Sequence, residues 1–300
     1  MYVLRGDIII MSLSSYEIFK TVVDQNSFQS AAEILHLTPS AISHSISSLE
    51  KELGFPLFIR NKTGIQLTGY GENLLPHIQT VLNSEEHLKQ EISLLNGLEK
   101  GTIKLGTFNS VCTNWIPHIV SSFQELYPNI TIELYQGNYN DVSGWIRNGL
   151  VDIGFLSTSS ADHLQIMPLY KDPLVCVVPK SFRPKNKDYI TIDDIRGQHF
   201  VYQREGCDAD INNFFQKYKL NALSTCHVVD DQSTVAMVES GFGICIMPEL
   251  VLKNQTHNVD VYRVEPREYR IIGITTLNQM FMAPAVKKMF DHIIHTYKNI

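Results

Sequence analysis

Residues 30–54 read Ser30-Ala-Ala-Glu-Ile-Leu-His-Leu-Thr38-Pro-Ser-Ala-Ile-Ser-His-Ser-Ile-Ser-Ser-Leu-Glu-Lys-Glu-Leu-Gly54. Ser30-x-x-Glu33 is a capping box and predicts a short helix with Ala31, Ala32, Ile34 and Leu35 as its apolar positions. The two alanines let another helix approach closely. Thr38 is a good N-cap, and Pro39 suits the first helical position, where its missing N–H costs nothing. The pattern predicts a further helix running to about Leu53, with Gly54 as its C-cap. On it Ala41, Ile42, Ile46, Leu49 and Leu53 form the buried stripe, while Ser40, Ser43, His44, Ser47 and Lys51 face outward. Small hydroxyls and an imidazole can enter a major groove closely and read base edges. An ordinary solvated face gives the same residues, but two capped helices joined by a four-residue turn favour the DNA reading.

Working outward, Ser14-x-x-Glu17 predicts an earlier capped helix with Tyr16, Phe19, Val22 and Val23 inward. After Gly54, residues 55–68 read as two short apolar strands around a polar Gly turn, a hairpin wing. Arg60 and Lys62 sit near its tip, within reach of a phosphate or the minor groove. Leu74, Ile78, Val81, Glu85, Leu88, Ile92 and Leu95 then recur at alternating spacings of 4 and 3, and six of the seven are apolar. That is a coiled-coil seam, with Pro76 as a site for a kink. A long tether helix with polar flanks suits pairing with another chain; packing on its own chain is the alternative. From Gly101 onward, strand-length runs (Thr102–Phe108, Ile130–Tyr135, Val151–Leu156) alternate with amphipathic segments, which predicts an α/β domain with much parallel sheet.

The 300 residues carry 25 Lys+Arg and 31 Asp+Glu, a net charge of −6. That argues against coating nucleic acid through bulk positive charge. The 44% hydrophobic and 19% charged composition is globular. No run approaches a membrane span, and the acid before a three-residue apolar run in Met1–Met11 does not read as a signal peptide. Five cysteines without a C-x-x-C pair exclude a Cys-rich zinc site or a disulfide framework and fit reduced thiols in a cytoplasm. G-x-G-x-x-G, G-x-x-x-x-G-K-[ST], H-E-x-x-H and G-x-S-x-G are all missing. No enzyme, cofactor or metal is expected, and His292 with His295 reads as surface decoration.

The run Phe19-x-x-Val22, Asn26-Ser-Phe28, Ala31-Ala32, Leu35, Ala41-Ile-Ser43, Ile46, Leu49-Glu50, Leu53-Gly54, Leu57-Phe58, Arg60 and Leu67-Thr68-x-x-Gly71 resembles the winged helix-turn-helix of LysR-type transcriptional regulators. Length and two-part layout match the chain after Met11, which resembles the family's usual start; residues 1–10 then read as an extension or a start-site artefact. The resemblance implies a winged helix-turn-helix over 12–68 and a linker helix over 69–97 that dimerises through 74–95 and often supports tetramers. It implies for 102–300 a two-lobed α/β effector-binding domain similar to periplasmic solute-binding proteins. Crossings are expected at Cys176–Pro179 and Ile272–Thr275, giving lobe one as about 102–176 and 276–300 and lobe two as about 178–272. The DNA contacts would be Thr38, Pro39, Ser40, Ser43, His44 and Ser47 with Arg60 and Lys62, on double-stranded DNA with an interrupted inverted-repeat operator. His44 departs from the family's usual Gln, so base preference there does not carry over.

Ligands of open α/β sheets sit at strand carboxyl ends beside helix N-termini. The segments that qualify contribute Thr107, Asn109 and Ser110; Asn138; Tyr202, Gln203 and Arg204; and Asp230 and Gln232. Hydroxyls and amides predominate, so a small polar effector is expected, and Asp208 and Asp210 weigh slightly against a polyanion. Val238-x-x-Gly241-x-Gly243, ending in Pro248, resembles a family segment. Cys207 lies near the reactive cysteine of peroxide-sensing members, and Arg204 would lower its pKa. The matching second cysteine is missing (Gln216 stands there, and the next is Cys226), and a packed thiol is the alternative. Two rivals thus stand beside an allosteric bacterial regulator acting in the cytoplasm: a thiol-based redox regulator, and a solute-binding protein. The second should carry an export signal and lack the reading head; this chain shows the reverse. Over 12–68 four cations face five anions, so the salt dependence of DNA binding should be shallow.

Overall fold

The computed structural model describes residues 12–61, 64–161, 163–203, 209–221, 223–228, 230–253 and 258–297. The chain divides into two compact units between Lys89 and Gln90.

The first unit contains α1 (Leu13–Gln25), α2 (Phe28–Ile34), α3 (Pro39–Leu53), β1 (Phe58–Asn61), β2 (Gly64–Leu67) and most of α4 (Gly69–Leu95). Thr38 caps α3 and Gly54 closes it in the left-handed region, as the sequence predicts. The other two caps differ. Ser12, not Ser14, caps α1, and Ser27, not Ser30, caps α2 by accepting from the Ser30 amide. Serines two or three apart compete for the role, and the one with extended backbone takes it. Phe19, Val22, Ala31, Ala32, Ile42, Ile46, Leu49 and Leu57 form the core. Ala41, expected in the buried stripe, is exposed, because the inward line runs through Ile42, Ile46 and Leu49.

The wing is held at its root. The Glu50 carboxylate of α3 accepts the amides of Leu57 (2.7 Å) and Phe58 (3.2 Å). Thr68 donates its hydroxyl to Pro56 O (2.7 Å) and accepts from the Gly71 amide (3.1 Å). A Cβ at Gly71 would lie 2.5 Å from Leu57 O, so the close crossing requires glycine.

The seam expected over 74–95 splits between two environments. Leu74 and Ile78 join the core of the first unit. Leu88, Ile92 and Leu95 are 60%, 50% and 85% exposed. Pro76 is carried inside the uninterrupted helix.

The second unit begins with the end of α4, where the buried Gln90 donates to Thr102 O (3.3 Å) and accepts from the Ala285 amide (3.4 Å). It continues through β3 (Gly101–Thr107), α5 (Asn109–Asn114), α6 (Ile116–Leu126), β4 (Ile130–Gln136), α7 (Tyr139–Arg147), β5 (Ile153–Ser157) and β6 (Met167–Pro179). Then follow β7 (Tyr189–Thr191), α8 (Ile192–Ile195), β8 (His199–Gln203), α9 (Ala209–Lys217), β9 (Leu223–Val228) and α10 (Asp231–Glu239). The unit closes with β10 (Cys245–Pro248), β11 (Val259–Glu265), β12 (Tyr269–Thr275) and α11 (Pro284–Tyr297). The main sheet has the order β4-β3-β5-β12-β6-β11-β7, with β10 also on β6. The β3–β4 and β3–β5 pairs are parallel, whereas β12 runs antiparallel to both β5 and β6, so the sheet is mixed.

Strand β6 belongs to both lobes. Its residues 167–173 pair with β12, and 174–179 pair with β10 and β11. The chain therefore enters lobe two at Pro173/Leu174 and returns between Glu265 and Tyr269, each crossing a few residues before the segment expected. Lobe one packs around Phe123, Phe155, Ile119 and Met289. Lobe two packs on both faces of its strands, around Phe200, Phe214 and Phe215 on one side and Val177, Val201 and Val235 on the other. Gly243 lets β8 and the segment before β10 pass closely: a Cβ there would lie 2.4 Å from His199 O. Among the described residues no helix is long and apolar enough to cross a membrane.

Candidate functional site

On α3, Ser40, His44 and Ser47 are exposed and Ser43 is half-buried, opposite the inward Ile42, Ile46 and Leu49. Thr38 and Pro39 are also exposed at the helix start, where the Thr38 hydroxyl accepts the Ala41 amide at 3.2 Å and lies 3.0 Å from the Ser40 hydroxyl. The predicted reading face is thus one contiguous surface. Lys51 is exposed farther along it, whereas Lys20 is ion-paired with Asp24. Lys62 lies outside the described residues, and for Arg60 the description covers only the backbone of β1.

In the second unit a cavity of about 610 Å³ lies between the lobes. Its lobe-one wall is the carboxyl ends of β3 and β4 with the starts of α5 and α7: Phe108, Asn109, Ser110, Gln136, Asn138 and Tyr139. Lobe two adds Asp210 and Ile211 from the start of α9, and Asp230, Asp231 and Gln232 from the start of α10. Asn109, Ser110, Asn138, Asp230 and Gln232, all singled out from the sequence, line this one cavity. Thr107 does not line it. This residue is fully buried, on the same side of β3 as the core residues Ile103 and Leu105. Tyr202 is also elsewhere, within lobe two, hydrogen-bonded to Asn212 and packed on Phe215. Arg204 and Cys207 lie outside the described residues, and the side chain of Gln203 is not described.

The floor of the cavity is a residue that sequence reasoning missed. Arg270 on β12 is 3% exposed and forms a buried ion pair with Asp172 of β6, which is 1% exposed. Its Nε and Nη2 donate to Asp172 Oδ2 at 3.2 and 2.5 Å, Nη1 to the Tyr139 hydroxyl at 2.9 Å, and Nη2 to Ser110 Oγ at 3.0 Å. Asp172 also accepts the Leu250 amide at 3.0 Å. Burial pushes the Tyr139 phenol well above its ordinary range, with Arg270 opposing, so it stays a donor. It donates to Asp210 Oδ2 at 3.4 Å. The other oxygen of Asp210 accepts from Ser157 and Ser159, both at 2.8 Å. Asn109 donates to Asp231 at 2.8 Å. Lobe-one donors thus meet lobe-two carboxylates across the cavity. A cation inside the apolar run Tyr269-Arg-Ile-Ile-Gly-Ile-Thr275 is the signal that could have found Arg270, since a buried arginine needs a partner.

A family model described as the LysR substrate binding domain matches residues 96–298, and one described as the bacterial regulatory helix-turn-helix protein, lysR family, matches residues 13–72. Among curated relatives, the uncharacterized HTH-type transcriptional regulator YvbU of Bacillus subtilis is 27% identical over 267 residues, spanning 88% of this chain and 91% of that one. Among solved structures, full-length OxyR from Pseudomonas aeruginosa superposes with a TM-score of 0.75 at 20% identity over 94% of each chain. The effector binding domain of QuiR in complex with shikimate gives a TM-score of 0.61 at 24% identity, over 66% of this chain and 98% of that one.

Proposed function

The chain belongs to the LysR family of transcriptional regulators, and on that premise we propose that a small polar effector held between the lobes sets the affinity of the α3 face for operator DNA. The observation that carries this is the position of Asp210. It lines the cavity and is also the lobe-two group on which Ser157, Ser159 and Tyr139 of lobe one converge. A ligand there competes with the bonds that set the interlobe geometry, so occupancy and lobe arrangement are coupled.

The protein acts in the cytoplasm as a dimer. The exposed half of the α4 seam, Leu88, Ile92 and Leu95, supplies an apolar stripe for a second copy. A dimer presents two α3 helices to two half-sites of an interrupted inverted repeat. The groove over α6 and β4, lined by Ile116, Val120, Ile132 and Leu134 among others, offers a second self-contact for a tetramer. Ser40, Ser43, His44 and Ser47 read bases, with Thr38, Pro39, Arg60 and Lys62 on the backbone.

The test is fluorescence anisotropy of the protein on the DNA upstream of its own gene, with and without metabolites that raise its melting temperature. Coupling between two binding equilibria is reciprocal. An effector that changes operator affinity by some factor must have its own affinity changed by that factor when operator is present. A ligand that fills the cleft and leaves DNA affinity and bending unchanged contradicts the proposal. Replacing Leu88 and Ile92 together by Glu should yield a monomer by light scattering and weaken operator binding.

A further inference from the structure

The cavity between the lobes carries a sign. Its charged lining among the described residues is Asp141, Asp210, Asp230 and Asp231 against Arg270. Arg270 is not a free cation. Four of its five N–H donors are taken by Asp172, Tyr139 and Ser110, and Asp172 behind it balances its charge. The helix ends count the other way: α5, α7, α9 and α10 all start at the cavity, and each N-terminus is worth about half a positive charge. Crediting all four in full, and counting the Arg270–Asp172 pair as neutral, the four carboxylates still leave the lining about two charges negative. Asp230 is firmly ionised, because the amide and hydroxyl of Ser233 donate to it and hold its carboxyl below the usual range. By composition alone, residues 204–208, outside the described residues, hold one Arg against one Glu and one Asp.

This charge decides which ligands fit. A carboxylate entering the cavity meets like charge at short range, whereas an N–H cation meets acceptors. Asp210 accepts from neutral donors, two serine hydroxyls and a phenol, and Asp231 accepts the side-chain amide of Asn109. Hydrogen bonds from a charged donor are roughly twice as strong as those between neutral groups, so a cation can displace these. Resting on the reading of the cavity as the effector site, we infer that its ligand is a small molecule bearing at least one ammonium or guanidinium group, seated against Asp210 and Asp231.

The experiment uses the full-length protein and three probes on the same four-carbon backbone: butane-1,4-diamine, butane-1,4-diol and succinate, titrated calorimetrically at matched ionic strength. The diamine should bind at least about tenfold more tightly than the diol, with succinate weakest, and Asp210→Asn and Asp231→Asn should each weaken diamine binding by about tenfold. The unfolding midpoint followed by tryptophan emission confirms that the variants are folded. Succinate binding as tightly as the diamine, equal binding of diamine and diol, unchanged diamine affinity in both folded variants, or no binding of any probe up to roughly 20 mM overturns the inference. Operator binding by the same preparation separates the two levels. Intact DNA binding with the wrong charge order rejects only the ligand class, whereas failure to bind any DNA rejects the regulatory reading beneath it.

Discussion

Replacing Arg270 by Met tests the cavity floor most directly. The substitution keeps much of the apolar bulk of the stem and deletes four donated hydrogen bonds. Asp172, 1% exposed, would keep the Leu250 amide but lose its charged partner. Breaking a buried ion pair from one side costs about 3–5 kcal/mol, because the orphaned charge keeps its desolvation penalty. The lost bonds to Tyr139 and Ser110 matter less, since Tyr139 retains Asp210 at 3.4 Å. In a domain of 150–250 residues each kcal/mol moves the melting temperature by about 2–4 °C, so a drop of roughly 6–20 °C is expected. Both tryptophans, Trp115 and Trp145, lie in the second unit, so their emission during urea unfolding reports that unit alone. The companion variant Arg270→Met with Asp172→Leu removes both charges and should recover most of the loss. A single-variant loss below about 1 kcal/mol, or a double variant no more stable than the single, would refute the account of a costly orphaned carboxylate.

Glu50→Ala should leave the core of the first unit folded but free the wing root, because the Leu57 and Phe58 amides lose their acceptor. Bonds to a carboxylate are worth about 1.5–3 kcal/mol each, discounted here for partial exposure. Operator affinity by anisotropy should fall with helix content by circular dichroism unchanged, and full-strength binding would show that the wing does not depend on Glu50. His292 is held below the usual imidazole range by burial first, then by His118 and His295. The unfolded chain therefore takes up the proton more readily, and the stability from this group, complete above about pH 6.5, is lost as pH falls toward the depressed folded value. Urea midpoints at about pH 7.5 and 5.5 should differ more for wild type than for His292→Gln, and parallel losses would remove His292 as the cause.

The reading head was legible because its information is local. Thr38, Pro39 and Gly54 mark the ends of α3, and the inward line Ile42, Ile46, Leu49 follows the helical period. Where two local signals compete, as for Ser12 against Ser14 and Ser27 against Ser30, spacing alone does not decide which serine has the extended backbone a cap needs. The cavity was half legible. Helix starts after strand ends located Asn109, Ser110, Asn138, Asp230 and Gln232 on its lining. The Asp172–Arg270 pair joins residues 98 positions apart, and no periodicity reports which strands become neighbours. The same blindness displaced the lobe crossings, since a continuous apolar run such as β6 does not announce that its two halves serve different partners. The α4 seam shows the converse: one heptad spacing served first an intramolecular core and then an exposed stripe.

The shared strand β6 bears on how far the lobes can move. In a door-like closure, the covalent connections between halves bend freely. Here one of the two connections is a paired strand, bonded to β12 up to Pro173 and to β10 and β11 from Leu174 onward. A swing of one lobe must bend or twist that ribbon while its ladder on either side holds. Such an element behaves as a torsion bar: small rotations store energy, and large ones break hydrogen bonds. Ligand occupancy that moves one lobe against the other would therefore load this strand.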